Sequence, residues 1–219
     1  MTFIKICGIT RAEDAFHAVE AGADGIGFIF TNSKRRIFPE NAMAVKRMLP
    51  DHVKIFAVFT DEDVETITSI VKEIDIDVIQ LHGIPDPDKV RNLQSYCEVM
   101  QVVSIDEEGN FDESILEFDA DYFLLDAKID GQEGGTGKVF DWRIIPEFVN
   151  KKVFVAGGLS TDNVAGLIKT YHPFGVDANS QLENLPGMKS KEKIYAFVEA
   201  VKAAGEALRH GQIMQKKTL

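Results

Sequence analysis

A chain of 219 residues, 45% hydrophobic and 27% charged, has the size and make-up of one folded domain with a sizeable core, which excludes disorder. Its net charge of −11 argues against nucleic-acid or anionic-membrane partners, so an anionic ligand would need locally placed cations and helix amino termini. Cys7 and Cys97 are the only cysteines, too few for a disulfide framework and too far apart for paired zinc ligands.

Short β-rich runs alternate with helical patterns along the whole chain, the rhythm of repeated βα units around a parallel sheet. The expected strands are Phe3 to Cys7, Gly25 to Phe30, Val53 to Phe59, Val78 to Leu81, Glu98 to Val103, Tyr122 to Asp126, Val153 to Ala156 and Gly175 to Ala178. After the first, Thr10 and Glu13 stand at capping-box spacing, and a helix is expected to run to about Ala21. Val64, Ile67, Ile70, Val71 and Ile74, and later Ile194, Phe197, Val198 and Val201, recur at helical spacing and should face the sheet.

Eight such units predict a single (βα)₈ TIM barrel of the α/β class, with eight parallel strands over residues 1–219 and a tail that frays beyond about Gly211. An open doubly wound sheet would carry a Gly-rich turn after strand one, and Cys7-Gly8-Ile9-Thr10 has another form. No run approaches the ~20 apolar residues of a membrane span, and the first residues enter a strand pattern at once, without a secretory leader. A cytoplasmic protein with free thiols is expected.

Barrel strands alternate inward and outward, and barrel active sites gather at the carboxyl ends of the strands. If Ile4 and Ile6 face the helices, then Phe3, Lys5 and Cys7 face inward. By the same parity Gln80 and His82 share the inner side of strand four, and Tyr122, Leu124 and Asp126 that of strand six. Burying such polar groups costs several kcal/mol unless they are paired or solvated, so a polar cluster at one mouth is better explained by function than by stability. Each residue alone also has a structural reading: Cys7 as a small buried hydrophobe, Asp126 as a cap, His82 as a wall residue, and Lys5 as an ion-pair partner.

Strand seven runs into Gly157-Gly158, followed by a helix expected near Thr161. Strand eight leads into Asp177-Ala178-Asn179-Ser180-Gln181. Loops seven and eight are the common phosphate site of these barrels, where glycines permit close approach and helix amides meet the anion.

Lys5-Ile6-Cys7-Gly8-Ile9-Thr10, Gly27-Phe28-Ile29-Phe30 with Ser33-Lys34-Arg35, Gln80-Leu81-His82-Gly83, and Leu125-Asp126 stand in one order along the chain. Gly134-Gly135-Thr136-Gly137-Lys138, Phe140-Asp141-Trp142, Gly157-Gly158-Leu159, Asp177, Glu183 and Pro186-Gly187 follow. Together they resemble the phosphoribosylanthranilate isomerase family over nearly the whole sequence. One departure lies in the eighth loop, where the family pattern is Asp-x-Ser-Ser-Gly-x-Glu and this chain has Asn179 and Gln181. Asn179 keeps an amide donor, whereas Gln181 disfavours a positive φ.

The resemblance implies an Amadori rearrangement in tryptophan biosynthesis, with Asp126 as general acid and Cys7 as general base. It implies Arg35 for the anthranilate carboxylate, with Gln80, His82 and Lys5 as further substrate contacts. Gly157, Gly158, Asp177, Asn179 and Ser180 are expected at the phosphate. The substrate is then a phosphorylated small molecule, and neither a cofactor nor a metal is required; the sequence does not indicate an oligomeric state. Another phosphosugar isomerase or a non-catalytic phosphometabolite-binding barrel are the alternatives. A histidine-pathway isomerase is expected to carry Asp where this chain has Cys7, and a metal-dependent epimerase needs more His and Asp ligands at the strand ends.

Overall fold

The computed structural model describes residues 1–127, 139–148 and 150–216, with side chains up to 209. The Gly134-to-Lys138 motif lies outside them. Eight parallel strands close into a barrel in sequence order: β1 (Phe3–Ile6), β2 (Gly25–Ile29), β3 (Lys54–Phe59), β4 (Val78–Leu81), β5 (Glu98–Ile105), β6 (Tyr122–Ala127), β7 (Val153–Val155) and β8 (Gly175–Ala178). Each expected strand is present, with ends shifted by two residues at most. Closure occurs where β1 pairs with β8, with Lys5 opposite Asp177 and Ile6 opposite Ala178.

Helices α1 (Ala12–Ala21), α2 (Pro39–Lys46), α3 (Val64–Ile74), α4 (Pro87–Leu93), α5 (Val164–Tyr171) and α6 (Lys191–Lys216) surround the barrel. After β5 and β6 the described connections hold only 3-10 turns, Glu113–Glu117 and Trp142–Phe148; the second contains Pro146, which has no amide to donate to an α-helical ladder. The predicted stripe of α3 packs inward through Ile67, Val71 and Ile74, and that of α6 through Ile194, Phe197, Val198 and Val201. Helix α6 runs to Lys216. The sequence Gln-Ile-Met-Gln-Lys consists mostly of good helix formers, and extending an existing helix needs no new nucleus.

The capping box at Thr10 does not form. Helix α1 begins one residue later, at an Arg11 cap without a side-chain hydrogen bond, because the Thr10 hydroxyl donates to the Gly187 carbonyl (2.6 Å). Arg11 instead pairs with the buried Asp14 at 2.5 Å.

Strand parity sorts the core as expected. Ile4, Ile6, Ile79, Leu81, Phe123 and Leu125 pack outward with the helices, while Phe56, Val78, Tyr122, Leu124 and Phe154 fill the barrel interior against Phe3. At the amino-terminal end, Phe3 meets Phe154 edge-on with centroids 5.4 Å apart. An added Cβ at Gly25 would lie 2.9 Å from the Phe3 ring, and one at Gly175 would lie 2.3 Å from the Phe154 ring, so both strands need glycine there.

Three aspartates tie strands together at the same end. Asp24, Asp77 and Asp121, each just before an even-numbered strand, accept the amides of Ile4, Ile55 and Val99 on the preceding strand at 2.7–2.8 Å. The aromatic plug and these clamps build a rigid floor, leaving the carboxyl-terminal mouth free for chemistry. Among the described residues no helix is long and apolar enough to cross a membrane.

Candidate active site

A cavity of about 620 Å³ opens at the carboxyl-terminal mouth, the size of a small-ligand pocket. Cys7 just past β1, Arg35 from the loop after β2, Gln80 on β4 with His82 just past its end, and Asp126 on β6 all line it. Gly157, Gly158, Asp177, Asn179 and Ser180 line it from the last two loops. Of the expected site residues, only Lys5 is not in the lining.

Lys5 lies one layer down, with no solvent exposure, and its ammonium donates to Asp177 Oδ2 at 2.7 Å. The expected substrate contact is therefore corrected: a side chain pointing inward two residues before the strand-end Cys7 is covered by the residues above it. Asp177 does line the cavity, with its Oδ2 accepting from Lys5 and burial raising its carboxyl above the ordinary range. Burial alone would lower the Lys5 pKa, but the Asp177 carboxylate and Cys7 outweigh it and the net direction is upward, so Lys5 stays cationic.

Cys7 is 5% exposed and packs against Ile29 and Val58. Burial pushes its thiol above the ordinary cysteine range, with Lys5 pulling the other way and Asp177 adding to the rise. Gly27 on the neighbouring strand makes room for this sulfur, since a Cβ there would lie 2.7 Å from Sγ.

Asp126 keeps part of its surface open to the cavity but sits deep enough that burial raises its carboxyl above the ordinary range; His82 opposes the rise and Asp177 adds to it. Gly157 packs against Asp126. With φ at +74° it occupies left-handed backbone, and a Cβ there would lie 3.0 Å from Asp126 Oδ1. The mouth thus holds a carboxyl that burial shifts toward its protonated form and a thiol with a cation beneath it.

The phosphate loops differ in detail from expectation. After Gly157 and Gly158, both at positive φ, the chain makes a turn in which Asn163 accepts from the Ser160 amide and donates to the Gly158 carbonyl. Helix α5 consequently starts at Val164, not near Thr161. In the eighth loop Ser180–Leu182 form a 3-10 turn. The described non-glycine residues with positive φ are Asp75, Asn150 and His172, so Gln181 replaces the family glycine without backbone strain. Asn179 Oδ1 accepts from Lys189 Nζ at 2.7 Å, which leaves the Asn179 amide as a donor.

Two buried acceptors in the cavity wall, Gln80 Oε1 and Asp177 Oδ1, have no hydrogen-bond partner among the described residues. Unpaired buried acceptors are uncommon, and both belong to residues of the cavity wall. Thr31, Asn32, Thr60 and Asp61 also line the cavity. They lie beyond the ends of β2 and β3, outside any strand alternation, so the sequence carried no periodic signal for them. Among the described residues no three His, Cys, Asp or Glu side chains gather as a metal site.

Comparison with known proteins yields one consistent result. The family profile described as N-(5'phosphoribosyl)anthranilate (PRA) isomerase matches residues 4–200. An N-(5'-phosphoribosyl)anthranilate isomerase from Desulforudis audaxviator is 38% identical over 209 residues, covering 93% of this chain and all of that protein. The crystal structure of phosphoribosyl anthranilate isomerase from Thermotoga maritima superposes with a TM-score of 0.84 at 36% identity, covering 93% of this chain and 100% of that one. A structure of the same enzyme type, in complex with reduced 1-(o-carboxyphenylamino)-1-deoxyribulose 5-phosphate, is 33% identical with a TM-score of 0.81, again covering 93% and 100%. A match from the first strand into the last helix, with the expected residues lining one mouth, means that this chain belongs to the phosphoribosylanthranilate isomerase family.

Proposed function

We propose that this protein converts N-(5'-phosphoribosyl)anthranilate into 1-(2-carboxyphenylamino)-1-deoxyribulose 5-phosphate in tryptophan biosynthesis, an aldose–ketose isomerisation. The observation that carries this reading is the presence of Cys7, just past β1, and Asp126, on β6, in the wall of one cavity. Family membership and a structural relative holding the reduced product both support it.

The protonated Asp126 carboxyl gives its proton to the furanose ring oxygen, the C1′–O bond breaks, and the anilino nitrogen lone pair forms an iminium. The Cys7 thiolate then removes the proton from C2′, and those electrons neutralise the iminium to give an enolamine. The enol loses its hydroxyl proton as C1′ gains one, leaving the ketone, so the bonds rearrange with no net oxidation. Burial supports the acid form of Asp126, and Lys5 beneath Cys7 opposes the burial that disfavours the thiolate.

The remaining lining residues divide the substrate between them. Arg35 takes the anthranilate carboxylate through its planar fork. Gln80 Oε1 and Asp177 Oδ1 accept from the sugar hydroxyls, with His82 beside them, and Gly157, Gly158, Asn179 and Ser180 surround the phosphate. A doubly charged sugar phosphate does not cross bilayers unaided, which supports action in the cytoplasm. The test is to mix purified protein with freshly made phosphoribosylanthranilate and follow its fluorescence. Loss of the signal at a rate proportional to enzyme is expected; a flat trace from folded protein would favour a binding-only barrel or another phosphosugar substrate.

A further inference from the structure

Arg35 does not reach the cavity as a free cation. Its Nε donates to Glu183 Oε1 and Oε2 at 2.9 and 3.1 Å, and its Nη2 donates to Oε2 at 2.8 Å. This is the side edge of the guanidinium. Its end edge, Nη1 with the second hydrogen of Nη2, has no partner among the described residues, and Arg35 lines the cavity.

Glu183 is itself held from several directions. It is 8% exposed, accepts from Lys189 Nζ at 3.0 Å and from the Gly187 amide at 3.2 Å, and belongs to the hairpin of β9 (Glu183–Leu185) and β10 (Met188–Lys189). Burial would raise its pKa, but Arg35 and Lys189 outweigh it and the carboxyl is held below the ordinary range. Lys189 has no side-chain exposure, and its amide donates to Asp14 at 3.1 Å. Burial lowers the Lys189 pKa, with Glu183 opposing the fall; with Lys189 protonated, two cations and one carboxylate give this cluster one net positive charge, inside a chain whose total is −11.

We propose that Glu183 is a positioning residue that clamps the side edge of Arg35 and so presents the end edge to the benzoate carboxylate of the substrate, with Lys189 cancelling the charge that Glu183 brings. The inference rests on the functional reading above. An arginine can bind two carboxylates at once, one on each edge, when both lie in the guanidinium plane. A free arginine would lose rotamer freedom on binding; this one is already fixed, which conserves affinity. Without Lys189, the Arg35–Glu183 pair would be neutral and would attract an anionic carboxylate only weakly.

Orientation and charge predict opposite signs for one substitution. Glu183→Gln removes a negative charge beside the carboxylate site, which alone would tighten anion binding, but it also breaks the bidentate clamp. The experiment measures binding of two reduced product analogues to the full chain, one with the benzoate carboxyl and one with plain aniline in its place. Wild type, Glu183→Gln, Lys189→Met and Arg35→Met are compared.

The expected result in Glu183→Gln is about a tenfold loss for the carboxylated analogue, with the aniline analogue bound as in wild type; tenfold corresponds to about 1.4 kcal/mol. Lys189→Met also frees Asn179, so it should weaken both analogues, the carboxylated one by about tenfold more. In Arg35→Met the two analogues should bind nearly alike. Unchanged or tighter binding of the carboxylated analogue by Glu183→Gln overturns the proposal. Equal losses for both analogues overturn it too, because they would mark Glu183 as merely structural. Wild type that binds neither analogue refutes the functional reading itself, a result distinct from either.

Discussion

Lys5 and Asp177 occupy paired positions on the two strands that close the barrel, and their side chains meet at 2.7 Å directly beneath the mouth. Both are inward-facing at the same level, so the register that closes the sheet also makes the ion pair. Above it stands Cys7, two residues along β1's path. The pair thus places a fixed cation under the thiol without exposing it to solvent or substrate.

Removing that cation should move the thiol. In Lys5→Met, Cys7 loses the charge that opposes its burial and retains Asp177, which adds to the rise, so its pKa should increase further. The pH dependence of Cys7 alkylation measures this, with Cys97 removed by substitution. The variant should also lose about 3–5 kcal/mol of stability, since a buried carboxylate is left without its partner. An unchanged alkylation profile would show that Lys5 does not influence the thiol.

Asp126→Asn should make the protein more stable at neutral pH while sharply lowering its activity. The folded-state pKa of Asp126 is raised by burial, so its stabilising contribution is complete below the unfolded value of about 4 and is lost as pH rises toward the folded value. Above that window the wild type bears the cost of a buried charge that asparagine lacks. Denaturant melts should show the difference at neutral pH and its disappearance below about pH 4. Equal stability throughout would mean that Asp126 is not perturbed.

The kcat/KM profile should be bell-shaped. Activity requires protonated Asp126 together with deprotonated Cys7, and both groups are raised, so the acidic limb lies above the ordinary carboxylate range and the alkaline limb at or above the ordinary thiol range. The limbs belong to the pair and not to either residue singly. A flat profile across neutrality would point to other titrating groups.

Gly27→Ala should impair catalysis without unfolding the barrel. Its new methyl would lie 2.7 Å from Cys7 Sγ and 3.1 Å from Cys7 Cα, displacing the thiol from the cavity. A fall in kcat exceeding the change in stability is expected, read from turnover alongside thermal melts. Wild-type kcat would show that the sulfur position is not critical.

Much of this was legible from the residues because barrel physics couples parity to place. Alternation on β1, β4 and β6 was enough to bring Cys7, Gln80, His82 and Asp126 to one face, and the structure has them in one cavity. Parity gives direction but not depth, which is why Lys5 was expected at the substrate and lies a layer below it. Pairings across the chain were the least visible: Arg35 with Glu183 spans 148 positions, and Lys189 sits in a short hairpin with no apolar period. The lost capping box is a similar case, since Thr10 is taken by Gly187 from 177 residues away.

The most direct test of the central claim separates chemistry from binding at the two reacting groups. Cys7→Ala and Asp126→Asn should each lower turnover of phosphoribosylanthranilate by about 10²- to 10⁴-fold. Both should still bind the reduced product analogue within a few-fold of wild type. Either variant turning over at the wild-type rate, with its fold and binding intact, would contradict the assignment of acid and base.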